Sequence, residues 1–496
     1  MVTMNDTAGA GVIGEAYSYT GPESYHSFIG QAMSSLGYMG GHDAAMAVRA
    51  RVSLQLGGRS LHLVCSFGPL HKEWHAETDL QRSPVEREEI KHCLLRWHSE
   101  YTGTCLGPWG LLTGVRPTKL VHHLLDQSLT DRQVQRELVQ RYQVEEKMAA
   151  YLVKLACHQR PYVTGQEKSA ALYIGIPYCP SHCLYCSFPS RLIGQENQQE
   201  LQQFAHAVIA EIDSIGDLCR RLGLHIDSIY VGGGTPTCLP YDILESILRR
   251  LYQVIGPVAE YTVEAGRPDT ADEAMLRMLR RYGVDRISVN PQTMQQSLLD
   301  RLGRQHRVED IYDMYDRCRK LGFAVVNMDF IAGLPGQTAL NMQENMEIVC
   351  QLRPENVTIH TLALKKRAPL FHHALRQEIP SPEVVASMLD ICSQALAENG
   401  YSPYYMYRQK YMAASFANTG YTLDGYMGKY NIQMMEERQT VFAVGPGGAN
   451  KFIARPGGTF EKLYMPKEID AYIKAVQEKI RQRQMLCSAV YEGEDI

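Results

Sequence analysis

The chain has 496 residues, 45% of them hydrophobic, and a net charge of −4. That length implies roughly two or three domains, and the balanced charge argues against a nucleic-acid footprint, which needs a basic excess on one face. No charge-free apolar run reaches the ~18 residues of a membrane span, and the first residues lack the basic start and apolar stretch of a signal peptide.

Roughly the first 45 residues are rich in Gly, Ser, Ala and Met without clean periodicity, so a loosely ordered start is expected. "AVRARVSLQL" and "SLHLVCSF" flank Gly57-Gly58-Arg59 and predict a hairpin. "SPVEREEIKHCLLRWHSEY" predicts a helix capped by Ser83 with Pro84 at its first position. Short helices follow in "GPWGLLTGVRPTKLVHHLL" and "TDRQVQRELVQRYQV". Residues 1–165 are thus expected to form a small α+β domain, ended by the polar linker "QRPYVTGQEKSA".

From Ala170 the pattern becomes strand then helix, six times. The strands are "ALYIGIP", "IDSIYVGGG", "EYTVEAG", "DRISVN", "FAVVNMDFIAGL" and "ENVTIHTL". Such alternation predicts parallel strands with right-handed crossovers. Six units fall short of an eight-fold barrel, so a partial (β/α)6 barrel over 166–365 is expected, with chemistry at the carboxyl ends of the strands. Residues 366–496 form an α-rich C-terminal extension covering that end.

Thirteen cysteines, an odd number scattered along the chain, do not read as a secreted disulfide framework. A reducing cytoplasm is the expected setting. Three of them, Cys179, Cys183 and Cys186, share one loop after the first barrel strand. A structural zinc knuckle, a redox pair from Cys183-x-x-Cys186 and an iron–sulfur cluster all use such thiols. No second C-x-x-C exists to complete a zinc site. Three thiolates leave one iron of a four-iron cluster without a protein ligand, and an open metal position marks a catalytic site. "VGGGTPTCL" follows the second strand, where bare backbone admits a ligand. It fits neither the dinucleotide fingerprint nor the P-loop.

This combination resembles the radical S-adenosylmethionine (SAM) superfamily. "LYIGIPYC", "GGGTPT", "RISVNPQTM", "GRQH", "NMDFIAGLPGQT" and "ENVTIHTL" follow in order the pattern of the oxygen-independent coproporphyrinogen III dehydrogenase (oxidase) family. "GPWGLLTGVRPTKLVHHLLDQ" and "YYMYRQKYM" are similar to its HemZ-type branch. The resemblance implies a [4Fe–4S] cluster on Cys179, Cys183 and Cys186, with SAM on the fourth iron. It implies that a 5′-deoxyadenosyl radical takes a hydrogen atom from a propionate of coproporphyrinogen III. Loss of CO2 and an electron then leaves a vinyl group, and two such steps give protoporphyrinogen IX.

Carried over by position, Tyr173 is a strand tyrosine near the cluster, and Gly233, Gly234 and Thr235 are the SAM-binding turn. Glu264, Gln292, Arg304 and Asp329 are polar contacts to SAM. Arg304 is suited to fork onto its carboxylate, and Glu264 or Asp329 to accept from ribose hydroxyls. Arg408 and Lys410, in a tyrosine-rich segment, suit the carboxylates of a tetrapyrrole as part of a lid. "GPGGANKF" predicts a turn near the same site.

Three positions depart from the better-known branch: Phe188 where it has a further cysteine, Arg267 where it has an acidic residue, and Gly175 where it has a basic one. The resemblance further implies a reduced flavodoxin- or ferredoxin-type electron donor and a monomer. The alternatives are a haem-trafficking protein of the same superfamily and a radical SAM enzyme acting on another tetrapyrrole.

Overall fold

The computed structural model describes residues 15–36, 38–40, 48–57, 60–77, 84–103, 106–165, 167–408, 416–454 and 460–492. The chain divides into two compact units, Met1–Thr113 with Leu129–Tyr151, and Gly114–Ser128 with Leu152–Ile496. The expected boundary at residue 165 is therefore displaced. Residues 114–128 belong with the barrel for a polar reason. Thr118 donates to Glu436 at 2.6 Å, and Lys119 pairs with Glu437 at 2.7 Å. Nor is the segment after 365 a separate body: it lies in the same compact unit.

The first unit holds a five-stranded sheet in the order Tyr38–Gly40, Glu15–Thr20, Val48–Gly57, Ser60–Phe67, Leu70–Glu77. The predicted hairpin is present, with Ala50 opposite Phe67 and Gly57 opposite Ser60. Residues 58–59 of its turn, and the Ser83 cap, lie outside the described residues. The expectation of a loosely ordered start fails over residues 15–36 and 38–40. Glu15–Thr20 is a strand and Glu23–Ser35 a helix, because Tyr25, Ile29, Ala32 and Met33 recur at helical spacing and bury themselves. They join Leu54, Leu61, Leu63, Phe67 and, from helix Pro84–Thr102, Ile90, Leu94 and Trp97 in one core.

The second unit is built on β1 (Ser169–Ile176), β2 (His225–Gly233), β3 (Glu260–Glu264), β4 (Arg286–Ser288), β5 (Val325–Ala332) and β6 (Asn356–Thr361). They lie side by side in chain order, all parallel. Of the eight residues of β1, seven are buried, as expected of a strand covered on both faces. Helices fill the crossovers. Gln198–Leu222 starts in a capping box of Asn197 with Glu200 and stops at Gly223, whose φ of 64° takes the left-handed cap. Its Phe204, Val208, Ile212 and Ile215 pack in the core with Leu172 and Ile174 of β1.

Five later strands extend this sheet: β7 (Ser402–Arg408), β8 (Ala417–Thr422), β9 (Thr440–Val444), β10 (Ala449–Phe452) and β11 (Glu461–Tyr464). The full order is β7-β8-β6-β5-β4-β3-β2-β1-β9-β10-β11. β9 runs parallel to β1, with Thr440 opposite Ala170 and Val444 opposite Ile174, and is a seventh parallel strand. The predicted turn follows it over Gly445–Gly448 only, since Ala449–Phe452 of the same motif is strand β10. Gly445 has φ 94°, and a Cβ there would fall 2.3 Å from the carbonyl oxygen of Gly175. The departure at Gly175 thus sits where two backbones meet.

A buried ion pair fastens the last helix, Ile469–Glu492, to this arrangement. Arg483 and Glu211 are both fully buried and paired. Glu211 also accepts from Tyr472 Oη at 2.5 Å and from the Gly445 N–H at 3.0 Å. Glu211→Leu should lower stability by about 3–5 kcal/mol, because it strands the Arg483 charge in the core. Adding Arg483→Met should restore much of the loss. Thermal denaturation followed by circular dichroism reads both, and a double variant no better than the single one would refute the account.

Candidate active site

The three loop cysteines open on a cavity of about 620 Å3 at the carboxyl ends of the barrel strands. Cys179 ends a two-residue strand with Tyr178 that pairs with Arg191–Leu192 and pins the base of the loop. Two backbone bonds tie the loop to the glycine turn after β2. Gly234 N–H donates to Ile176 O at 2.8 Å and Thr235 N–H to Tyr178 O at 2.7 Å. A Cβ on Gly234 would lie 2.3 Å from Tyr178 O and 3.0 Å from Cys179 Sγ. The glycine is required because the cysteine loop occupies that space.

Each sulfur receives a hydrogen bond. Thr235 Oγ1 donates to Cys179 at 3.7 Å, Arg304 Nη1 to Cys183 at 3.9 Å, and the Phe188 N–H to Cys186 at 3.5 Å. Burial raises the Cys179 and Cys186 thiols above their ordinary value. Metal loading at these positions therefore releases protons. Phe188 does more than leave a place empty: its ring also covers the turn, with Cζ 3.1 Å from where a Gly233 Cβ would stand.

Two carboxylates held in different states also line the cavity. Glu264, at the end of β3, accepts from Tyr230 Oη at 2.6 Å and from the Gly233 N–H at 3.2 Å. Burial outweighs these bonds and pushes its carboxyl up to about 7. Burial would raise Asp329 on β5 as well. There His360, 3.7 Å away, and Asn327, donating at 2.8 Å, prevail and hold it below the usual carboxylate value. At neutral pH one acid titrates and the other stays charged. Glu264, Asp329 and His360 also line a smaller chamber of about 170 Å3, together with Tyr230, Thr358 and Tyr405.

Gln292 lies between these groups with φ 69°, a left-handed conformation that costs a non-glycine residue energy. Its N–H donates to Asp329 O at 2.9 Å and its carbonyl accepts from the Ile331 N–H at 3.0 Å, which hold it there. Arg304 is buried and occupied. Nη2 donates to the carbonyls of Gly266 at 2.7 Å and Asn290 at 2.8 Å, and Nη1 also donates to Tyr185 Oη at 3.0 Å. The guanidinium fork therefore does not face the cavity free, as a carboxylate clamp would require; Nε is the atom without a partner.

The sequence-predicted residues thus converge with few exceptions. The three cysteines, Gly233, Gly234, Thr235, Glu264, Gln292, Arg304 and Asp329 all line the one cavity. Tyr173 instead lines an adjoining cavity of about 180 Å3 with Phe188, Arg367, Pro446 and Lys467. Its ring stacks on Tyr230, which stacks on Tyr430. Arg408 does not line the cavity, whereas Tyr407 does, since neighbours along β7 face opposite ways. Lys410 lies outside the described residues.

Lys365, Tyr185 and Arg267 are cavity residues that sequence reasoning did not assign to the site. Arg267 bonds Ser181 of the cysteine loop at 2.9 Å and forks onto Asp269 at 3.0 Å twice. The acidic partner two positions on was the available signal.

The donor set suits an iron–sulfur cluster with a polar ligand beside it. Three soft thiols share a loop, glycine backbone forms a cradle, and Asn290 Oδ1 and Arg304 Nε are buried cavity-lining atoms without hydrogen-bond partners.

Residues 173–349 match the radical SAM superfamily. The oxygen-independent coproporphyrinogen-III oxidase-like protein HemZ of Bacillus subtilis (strain 168) is 33% identical over 436 residues, 85% of this chain and 87% of that protein. The haem chaperone HemW of the same organism is 28% identical over 313 residues, 62% of this chain and 76% of its own. Among solved structures, coproporphyrinogen III oxidase (HemN) from Escherichia coli overlays 69% of this chain and 82% of its own with a TM-score of 0.50 at 19% identity, a likeness of fold. No helix among the described residues is long and apolar enough to cross a membrane.

Two outcomes test this geometry. Gly234→Ala, supplied anaerobically with iron and sulfide, should hold clearly less iron per chain than the unaltered protein; equal iron content would refute the close-approach argument. Glu264 has a folded value of about 7 against an ordinary 4.5, so it binds its proton more tightly folded than unfolded. Its stabilising contribution is present in full below about pH 4.5 and is lost as pH rises through about 7. Glu264→Gln should remove that contribution and flatten the fall in melting temperature over the same range.

Proposed function

We propose, for a chain that belongs to the radical SAM superfamily and to its oxygen-independent coproporphyrinogen-III oxidase-like group, that it converts propionate side chains of coproporphyrinogen III to vinyl groups. The observation that carries this reading is the convergence of three hydrogen-bonded cysteines and a split pair of carboxylates on one cavity of about 620 Å3. When bound, the [4Fe–4S] cluster and SAM used by this superfamily supply one-electron reductive chemistry that removes a hydrogen atom from an unactivated carbon. Cys179, Cys183 and Cys186 would hold the cluster. Gly233, Gly234, Glu264, Gln292 and Asp329 would hold SAM, with Arg304 offering only its unpartnered Nε.

The chain's own residues bind, orient and exclude water. An amino group needs acceptors, which the turn at Gly233 and Gly234 offers through carbonyls, since its N–H groups are already used. Asp329, kept charged by His360 and Asn327, is suited to accept from hydroxyls. Glu264, titrating near neutrality beside the glycine turn, can accept or donate.

Lys365 and Tyr407, rather than Arg408, are the cavity-lining groups suited to a propionate carboxylate and a tetrapyrrole face. Each propionate then loses one hydrogen atom, CO2 and one electron, so a one-electron acceptor completes the turnover. A reduced flavodoxin- or ferredoxin-type protein is the proposed electron donor.

A second reading is supported by the 28% identity to a haem chaperone: binding of haem without decarboxylation. Anaerobic incubation of the cluster-loaded protein with coproporphyrinogen III, SAM, a reductant and an electron acceptor separates the two. Vinyl-bearing product by mass spectrometry is expected, at a rate lowered roughly tenfold or more in Lys365→Ala. Stoichiometric haem binding with no product would overturn the first reading in favour of the second.

A further inference from the structure

The first unit carries a histidine cluster that the barrel chemistry does not use. His62 on Ser60–Phe67 stands directly opposite His75 on Leu70–Glu77, and Val64 stands opposite Glu73. Leu61, Leu63, Cys65 and Phe67 turn into the core. Alternation therefore leaves His62, His75 and Glu73 together on the outer face. The two imidazoles stack with centroids 3.8 Å apart and planes 14° apart.

Their Nε2 atoms converge on one carboxylate oxygen. Glu73 Oε2 lies 3.3 Å from Nε2 of His62 and 3.7 Å from Nε2 of His75. The His62 Nε2 is buried and makes no hydrogen bond. One ligand atom from each of the three residues lies within 4.8 Å of the others. A tetrahedral ion with bonds of about 2.0–2.1 Å needs ligand atoms about 3.3–3.4 Å apart, close to the spacing to Glu73 here, and the stacked rings must rotate apart so that both in-plane lone pairs meet the ion. On the other oxygen, Nε2 of His71 stands 3.4 Å from Oε1, and Ser66 Oγ meets its Nδ1 at 3.0 Å. That is the outer partner a ligating carboxylate commonly has.

We propose that His62, His75 and Glu73 form a binding site for a divalent transition-metal ion of the imidazole-preferring class, Zn2+ or its neighbours Ni2+ and Cu2+, with His71 orienting Glu73. Two imidazoles disfavour Mg2+ and Ca2+, which take oxygen shells. Three protein ligands leave a position for water or a fourth group. The ion cross-links the two strands at their outer face.

The test uses the full-length protein with its cluster assembled, so that Cys179, Cys183 and Cys186 are already occupied. Zn2+ is titrated anaerobically against a chromogenic competitor. One equivalent should bind with a dissociation constant of about 1 μM or tighter. His75→Ala and Glu73→Gln, both at exposed positions, should each weaken binding by about tenfold or more, while the metal-free melting curves stay unchanged. Bound Cu2+ should show coupling to two nitrogens in its electron paramagnetic resonance spectrum, and to one in His75→Ala. Absence of a bound equivalent, or binding unaltered in both variants, overturns the proposal.

Discussion

Two loops approach each other here more closely than side chains allow. The strand leaving Ile176 and the turn leaving Gly233 are joined by backbone bonds of 2.8 and 2.7 Å, with Gly234 pressed against Tyr178 O and Cys179 Sγ. This contact aims the first sulfur at the cavity. It also brings Thr235 within reach of that sulfur and the Phe188 ring over Gly233. A cluster ligand set is commonly described by cysteine spacing. Here the spacing has meaning only because the neighbouring strand ends in residues without Cβ.

Electrostatics around the cavity follow from which donors reach which atoms. The sulfurs draw on a hydroxyl, a guanidinium and a backbone N–H, three donors of different strength, and hydrogen bonds to sulfur are one lever on cluster potential. Glu264, bonded to a tyrosine hydroxyl and a backbone N–H, is pushed toward neutrality by burial, and Asp329, beside His360 and Asn327, stays charged. Similar burial ends in opposite shifts because the partners differ.

The six barrel strands were legible because parallel strands buried on both faces are near-continuous apolar runs, and their helices carry clear periodicity. The convergence of the cysteine triad and the glycine turn was legible because few residue types suit such a loop and so close a backbone approach. β9 was not, since "TVFAV" pairs with a strand some 270 residues earlier and only tertiary structure reveals the partner. The strand Glu15–Thr20 lay hidden in a segment of mixed composition, where hydrogen bonding to Val48–Gly57 supplies the order that local pattern does not. The Phe188 donor is a backbone group, and sequence carries no mark of it. That Tyr407 rather than Arg408 lines the cavity was not legible, because a residue's chemistry says nothing about which way its strand turns it.

β9 has a consequence for how the molecule is made. β1 is flanked by β2 on one side and by β9 on the other. During synthesis β1 emerges early and stays an unpaired edge on one side until Thr440–Val444 arrives. Exposed edges of this kind invite pairing with other chains, and contacts so distant in sequence form slowly. The glycine contact between Gly445 and Gly175 closes in the same late step. Tyr173 sits on the strand that waits and the cysteine loop follows directly from it, so that loop takes its final shape only once Thr440–Val444 is in place.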